Sequence, residues 1–281
     1  MKHVITLVSS ALCVLFTSVT ATPVLMRDTF EAGDPISEEE FSNAVSSKSA
    51  EFDLNSIDFI PWDKQHPELL EGDVMLTAKK NAIVNARGYW PNGIIPYVIS
   101  ADYTAAQRQI IAFAMNEYHN KTCLRFVPRS GESDYIRIKK SGQGCWSYVG
   151  RIGGGQDVSL DDGCVSSRAP GVVIHELMHS VGFWHEHMRP DRDTYVKINL
   201  TNVRRQYRSN FNKLSTTQVT TLGLSYDYGS VMHYPKGAFG IDPSVAVIKA
   251  LIGNPVIGQK AAFSELDVMK LNKLYNCAAK C

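Results

Sequence analysis

Three histidines and a glutamate within eleven residues have the spacing of a metal site. They are His175, Glu176, His179 and His185. Histidines four residues apart lie on one face of a helix, so His175 and His179 can reach the same ion, and imidazole nitrogen is a normal Zn²⁺ ligand. Gly182 can take a left-handed conformation, end the helix and turn the chain back. His185 can then serve as the third ligand.

Glu176 lies one step round the same helix from His175. It is too far round to be a good ligand but close enough to touch a water beside the ion, which is the position of a general base. A lone pair of histidines at this spacing is common on ordinary surfaces and in ordinary cores. Five specified residues at fixed spacing are rare, with on the order of one chance match in ten million positions. We therefore interpret the stretch as a metal site.

The residues that follow extend the pattern. Glu186 comes directly after the third histidine, Arg-Pro-Asp-Arg-Asp begins at Arg189, and Ser-Val-Met-His-Tyr occupies positions 230–234. Together they resemble the astacin family of metzincin zinc endopeptidases, whose signatures are HExxHxxGxxHExxRxDRD and a Met-turn SxMHY. The resemblance covers residues 81–281. It implies an α+β, two-lobed zinc protease domain. The N-terminal lobe would hold a mixed twisted sheet and two long helices, and the mostly irregular C-terminal lobe would carry a C-terminal helix.

The resemblance also assigns roles within the site. It implies one Zn²⁺ per subunit, held by the three histidines. Tyr234 is implied to be both a further metal ligand at rest and a catalytic group that swings away to hydrogen-bond the oxyanion. Met232 is implied to pack beneath the metal. The residues implied to form the edge strand that pairs with an extended substrate are Trp146, Ser147 and Tyr148.

Cysteine usage fits an oxidising compartment. Cys13 is lost with the leader described below, and five cysteines remain, an odd number for a secreted protein. The family resemblance implies the disulfides Cys123–Cys277 and Cys145–Cys164. Cys281 is left over: it is free, bonded to a partner, or in competition with Cys277. Metal binding by thiols is disfavoured because no two cysteines have C-x-x-C spacing.

The start of the chain predicts export. Lys2 and His3 precede an apolar run from Val4 to Val19, and small residues follow as far as Ala21. We predict a signal peptide over residues 1–21 and a secreted, extracellular protein, with a retained membrane anchor as the alternative. After signal removal we expect no membrane association. No basic run interleaved with aromatic residues indicates nucleic-acid binding, and we expect a monomer.

Residues 22–80 are predicted to be an inhibitory pro-segment. They contain 13 Asp and Glu against 5 Lys and Arg, a net charge of −8, whereas residues 81–281 carry 23 Lys and Arg against 15 Asp and Glu, a net charge of +8. Opposite charges attract the segment to the domain that follows. Its first half is polar and Ser-rich, which favours irregular structure, and we expect the run Glu38-Glu39-Glu40 to be merely solvated.

Latency is implied by the resemblance. Family pro-segments carry F-x-G-D, whose aspartate binds the zinc. Asp73 matches that aspartate and Gly72 the glycine, while Leu70 stands where the family has Phe. The pair Lys79-Lys80 offers a site for an activating trypsin-like protease, after which Asn81 becomes the new N-terminus. In the family this α-amino group is linked to the glutamate after the third histidine, here Glu186.

The elements around the motifs can be located by pattern. A capping box at Thr104 and Gln107 begins a helix with an apolar stripe, and a second box at Ser264 and Asp267 begins the C-terminal helix. Strands are predicted at residues 93–100, 124–127 and 135–138, with Pro96 placing the first at an edge or bulge.

Asn120 and Asn199 begin glycosylation sequons. The expected substrates are proteins or peptides. Two alternatives remain at this stage: a secreted binding protein or toxin that keeps the fold without catalysis, and a zinc hydrolase with a non-peptide substrate. The first would be expected to lack Glu176 or a ligand, and none is missing.

Overall fold

A computed structural model describes residues 30–46, 69–70, 72–75 and 88–278 of this chain. The predicted signal peptide, the Lys79-Lys80 site, Asn81 and Cys281 lie outside the described residues. The helices are α1 (Glu38–Ser46), α2 (Ala105–Lys121), α3 (Gly171–Ser180) and α4 (Glu265–Leu274), with short 3₁₀ turns between them. The strands are β1 (Val74–Met75), β2 (Ile94–Ile99), β3 (Arg125–Pro128), β4 (Tyr135–Lys139), β5 (Cys145–Tyr148), β6 (Gly155–Leu160), β7 (Val196–Ile198) and β8 (Ile248–Ala250).

Six strands form one mixed sheet in the order β1-β5-β6-β4-β2-β3. Only β5 and β6 pair antiparallel, and the other neighbours run parallel. The side chains of α2 and α3 share one apolar core with this sheet. The C-terminal part holds a second cluster around the two-stranded β7–β8 ribbon, and this cluster includes Tyr234. The expected α+β architecture is confirmed, with a mixed sheet and two helices in the first lobe and a mainly irregular second lobe.

Both capping boxes are present. Thr104 caps α2 through Gln107, and Ser264 caps α4 through Asp267, each with reciprocal side-chain to backbone bonds. Asp267 does more than cap its helix, since its carboxylate also accepts the Ser230 hydroxyl at 2.6 Å and the Val231 N–H at 2.8 Å. Burial raises the pKa of this carboxyl group. The start of α4 is thereby fastened to the turn beneath the metal site.

Of the two positions predicted from Pro96, an edge strand or a bulge, the edge strand is wrong. β2 lies between β4 and β3, one strand in from the edge. Pairing with β3 spans Ile94 to Tyr97, whereas pairing with β4 begins only at Tyr97. Pro96 therefore precedes the β4 ladder, and its missing N–H removes no bond on that side.

Two disulfides join Cys123 to Cys277 and Cys145 to Cys164. The first joins the segment that follows α2 to the segment that follows α4, 154 positions apart in the sequence. The second closes a 19-residue loop that begins at the start of β5. In the part of the chain that the structure covers, no helix is long and apolar enough to cross a membrane.

Part of the proposed pro-segment is helical, although its polar, Ser-rich first half favours irregular structure. Ser37 and Glu40 form a capping box, and α1 follows it. Glu38 and Glu39 are exposed as expected, but Glu40 is not merely solvated, because it forms an ion pair with Arg108 of α2 at 2.5 Å. The expectation for Glu40 is therefore wrong. The S-x-x-E pattern at positions 37–40 is visible in the sequence, but its tertiary partner is not.

Candidate metal centre

The metal helix α3 is apolar and fully buried. Gly171 at its start is required by a close approach, since a Cβ there would lie 2.4 Å from the carbonyl carbon of Lys260. At its end the chain turns at Gly182, whose φ is 113°, in the left-handed region that favours glycine. This turn brings His185 back to the two helical histidines, as the spacing predicted.

The three histidines converge with Asp73. Its Oδ2 lies 3.1 Å from Nε2 of both His175 and His185, and its Oδ1 lies 3.7 Å from Nε2 of His179. These four ligand atoms all lie within 4.8 Å of one another, and all four residues are buried. The outer nitrogens are directed at backbone carbonyls: Nδ1 of His175 bonds the Val231 carbonyl at 2.8 Å, and Nδ1 of His179 bonds that of Phe183 at 2.7 Å. A ring that donates its Nδ1–H to a carbonyl keeps a lone pair on Nε2, and this lone pair is available for a metal ion.

Buried polar atoms without a hydrogen-bond partner show whether the cluster suits a metal ion. Nε2 of His179, Oδ1 of Asp73 and Oε2 of Glu176 are buried without a hydrogen-bond partner. Buried polar atoms left unpaired are costly, so this combination needs a cation at its centre. Imidazole and carboxylate donors in this number suit Zn²⁺. The residues present therefore fit a zinc ion.

The electrostatics of the cluster follow from burial and mutual contact. Burial lowers the pKa of His175 and His179, so both rings are neutral, as metal ligands must be. Burial opposes ionisation of Asp73, but the positive charge of His185 and hydrogen bonds with the imidazoles lower the pKa of that carboxyl well below its usual range, and a cation at the centre of the cluster would act in the same direction. The pKa of Glu176 is raised, first by burial and then by the neighbouring Asp73 charge. A carboxyl group with this environment can both take up and return a proton.

Asp73 is delivered by a tight turn. Leu70 and Val74 exchange two backbone hydrogen bonds of 2.9 Å, and Gly72 between them has a φ of 86°. After the turn, β1 pairs parallel with β5, placing Val74 opposite Ser147 and Met75 opposite Tyr148. The strand expected to receive substrate is thus covered on its outer edge. Trp146 and Ser147 are buried and Tyr148 is half-buried.

The turn over residues 230–234 underlies the cluster. Met232 is buried in the main core, and its carbonyl accepts the Glu186 N–H at 3.0 Å. The Tyr234 ring lies 4.5 Å from the His185 ring and stacks on His187 at 4.0 Å, measured between centroids. Tyr234 is therefore adjacent to the third histidine.

The structure provides Glu186 with partners that the sequence did not reveal. Lys270 of α4 donates to its Oε2 at 2.7 Å, and Arg189 donates to its Oε1 at 3.1 Å, with every side chain less than 10% exposed. The Asp227 N–H adds a bond of 2.8 Å. A buried carboxylate needs a positive partner, which is the physical reason for expecting the α-amino group of Asn81 beside it. Lys270 and Arg189 already meet this need, so burial alone no longer requires the α-amino group, and the Asn81 link stays a prediction.

Lys260 is a further residue whose position the sequence does not indicate. Its amine is turned inward, donating to the Val231 carbonyl at 2.6 Å and lying 2.9 Å from Nδ1 of His175. Burial lowers its pKa to about 8. The sequon residue Asn120 is exposed on the last turn of α2, whereas Asn199 is half-buried and accepts the Thr201 hydroxyl.

An α+β domain that sets buried carboxylates beside three convergent imidazoles has the donor set of a zinc-dependent enzyme. Residues 82–276 match the family model described as Astacin, a peptidase family. The chain belongs to the astacin family of zinc metallopeptidases.

Relatives agree with this assignment. Zinc metalloproteinase nas-13 of Caenorhabditis elegans is 48% identical over 200 residues, covering 71% of this chain and 43% of that protein. Zinc metalloproteinase nas-4 of the same organism is 37% identical over 286 residues, covering 96% and 90% respectively. This chain spans less than half the length of nas-13, and 48% of the similar nas-8 of Steinernema carpocapsae.

A solved structure with the same fold is that of high choriolytic enzyme 1, a hatching enzyme zinc-protease from Oryzias latipes. It is 40% identical to this chain with a TM-score of 0.62, and the match covers 68% of this chain and 94% of that one.

Proposed function

We propose that this chain is the secreted zymogen of a zinc endopeptidase that hydrolyses peptide bonds in protein substrates. One observation carries the proposal. The ring nitrogens of His175, His179 and His185 converge with Asp73, and the nearby Glu176 has a buried carboxylate oxygen without a hydrogen-bond partner. That is the donor set of a catalytic zinc site together with its general base.

The chain's own residues divide the chemistry between them. His175, His179 and His185 would hold the ion through Nε2. A Zn²⁺ bound there would supply a Lewis acid that polarises a carbonyl and lowers the pKa of a water. Glu176 accepts the proton of the attacking water and passes it to the departing amine. Tyr234 donates a hydrogen bond to the developing oxyanion, which is worth about 3 kcal/mol for a typical donor of this kind.

Latency has two components in this proposal. The Asp73 carboxylate takes the position that water needs, and β1 takes the edge of β5 that an extended substrate needs. A cut by a trypsin-like protease after Lys79 or Lys80 allows both to be vacated once the pro-segment leaves. Residues 1–21 are then the signal peptide, 22–80 the inhibitory pro-segment and 81–281 the catalytic domain of an extracellular, monomeric enzyme.

Casein hydrolysis by the secreted chain tests the proposal. Activity should be absent before trypsin treatment, present after it, abolished by 1,10-phenanthroline and absent in Glu176→Ala. Asp73→Ala removes only the first component of latency, so it should be partly active without trypsin. A folded, zinc-loaded and trimmed protein that cuts nothing would refute the catalytic assignment and favour the inactive binding protein instead.

A further inference from the structure

A second part of the pro-segment, far along the chain from Asp73, is built into the catalytic domain. We name residues 30–44 the anchor segment. It begins by extending the sheet: Ala32 forms an antiparallel bridge with Ser100 beyond the end of β2. The Gly33 N–H donates to the Ile99 carbonyl at 2.8 Å, and the Ala101 N–H donates to that of Glu31 at 3.1 Å. The segment therefore uses backbone groups that β2 leaves unpaired at its end.

The helix α1 then packs along α2. Ile36 and Ala44 are 5% and 1% exposed and belong to the same apolar core as the sheet and α3. The Tyr97 hydroxyl accepts the Ile36 N–H at 3.0 Å, and the Asn116 amide donates to the Phe41 carbonyl at 2.8 Å. Loss of the anchor segment would uncover apolar surface and leave these polar groups without their partners.

One guanidinium group recognises the anchor segment. Arg108 donates from Nε and Nη2 to the two carboxylate oxygens of Glu40, at 2.5 and 3.0 Å. Its remaining bonds go to the Asp34 carbonyl at 3.0 Å and the Pro35 carbonyl at 2.9 Å. Every one of these acceptors lies within the anchor segment. A bidentate pair of this kind is specific as well as strong.

We propose that the surface made by α2 and the end of β2 is a binding site that outlasts activation, and that the anchor segment stays bound there after the chain is cut. This inference rests on the zymogen function proposed above. A cut between residues 75 and 88 breaks none of the contacts of the anchor segment. The fragment it creates carries both the anchor segment and Asp73, joined by residues 45–72, so it is a bivalent inhibitor of its own enzyme.

Bivalency sets the expected size of the effect. Tethering converts the binding of Asp73 into an intramolecular step, and linked sites of this kind gain about 10²–10⁴ in apparent affinity. Activation is then two events: the cut, followed by loss of the fragment through dilution or through a second cut in the tether. An enzyme at high concentration would remain latent after the first cut.

The full-length chain tests this directly. Lys79 and Lys80 are replaced by the recognition sequence of a viral cysteine protease, so that one cut is made and the fragment stays intact. Size-exclusion chromatography with mass spectrometry follows the fragment, and casein hydrolysis follows activity over a dilution series. We expect the fragment to co-elute with the domain, and activity to appear only on dilution.

Variants separate the two halves of the fragment. Glu40→Gln should raise its dissociation constant about tenfold. Arg108→Met should raise it at least as much, because it also removes the bonds to the Asp34 and Pro35 carbonyls. Adding Glu40→Gln to Arg108→Met should have little further effect, because the ion pair is already lost. Asp73→Ala should give partial activity at once, because only the blocking carboxylate is lost, while the fragment still co-elutes. Lys213→Met, which breaks an exposed ion pair outside the anchor segment, should change neither measurement.

The outcomes are distinguishable. A fragment that leaves the domain as soon as the chain is cut would overturn the inference, as would Glu40→Gln and Arg108→Met variants that bind like the unaltered chain. If the domain hydrolyses no casein under any condition but the fragment co-elutes and responds to Glu40→Gln, the proposed protease function fails and the binding site stands.

Discussion

The buried ion pair between Lys270 and Glu186 supports a quantitative prediction. Replacing Lys270 by Met keeps the length of the side chain but leaves the Glu186 carboxylate short of its closest cation, with both partners about 5% exposed. Breaking a buried pair on one side costs about 3–5 kcal/mol. Arg189 and one backbone N–H remain, so the lower end, about 3 kcal/mol, applies.

Thermal unfolding measures this loss. For a domain of this size, 1 kcal/mol shifts Tm by roughly 2–4 °C, so Lys270→Met should lower Tm by roughly 6–12 °C. The matched control is Lys213→Met, whose partner Asp193 is 59% exposed. Such surface pairs contribute about 0–1 kcal/mol, which predicts a small shift.

A second substitution checks the cause. Adding Glu186→Gln to Lys270→Met removes the stranded charge and should recover part of the lost stability. Equal shifts for Lys270→Met and Lys213→Met, or no recovery in the double variant, would contradict the assignment of Lys270 as the charge partner of Glu186.

Three further predictions concern catalysis, cross-linking and pH. Tyr234→Phe should lower kcat about 10²–10³-fold with little change in KM, as measured by steady-state hydrolysis of a quenched fluorescent peptide, because its hydroxyl acts on the transition state. Replacing Cys123 and Cys277 by Ala should lower the unfolding free energy by about 5 kcal/mol, because this disulfide closes a loop of 154 residues. Replacing Cys145 and Cys164 should lower it by about 3 kcal/mol, because the loop is only 19 residues long. Denaturant titration measures both losses, and equal values would contradict the dependence on loop length. The hydrogen bond from Arg108 lowers the pKa of Glu40 from 4.5 to about 2. The contribution of Glu40 to binding of the anchor segment is therefore full above pH 4.5 and is lost as the pH falls towards 2. In Glu40→Gln, the fraction of fragment that co-elutes should depend less on pH over that window.

The features that sequence can predict are those encoded locally. The spacing of His175, His179 and His185 is a property of one helix and one turn, so it is readable without the fold. The capping boxes at Thr104 and Ser264 likewise involve residues three apart. The role of Asp73 is implied only by the family resemblance, and the structure then shows its carboxylate in contact with the histidines.

The features that sequence cannot predict depend on distant partners. Glu40 looks solvated because Arg108 lies 68 positions away, and Glu186 looks in need of a new N-terminus because Lys270 lies 84 positions away. Pro96 suggests an edge strand or a bulge because proline has no N–H to donate to a neighbouring strand. Only the register shows that pairing with β4 begins one residue later, at Tyr97. Tertiary pairing decides each of these cases.

The double role of Asp267 has a consequence for biosynthesis. The turn that carries Met232 and Tyr234 obtains two of its hydrogen bonds from this single carboxylate, which lies on the final helix of the domain. A nascent chain emerges from the ribosome N-terminus first, with the three histidines ahead of Asp267 by more than eighty residues. Until α4 has been synthesised and docked, the turn beneath the three histidines lacks these two hydrogen bonds. An incomplete chain would therefore lack the contacts that hold the turn carrying Met232 and Tyr234 for as long as α4 is unsynthesised.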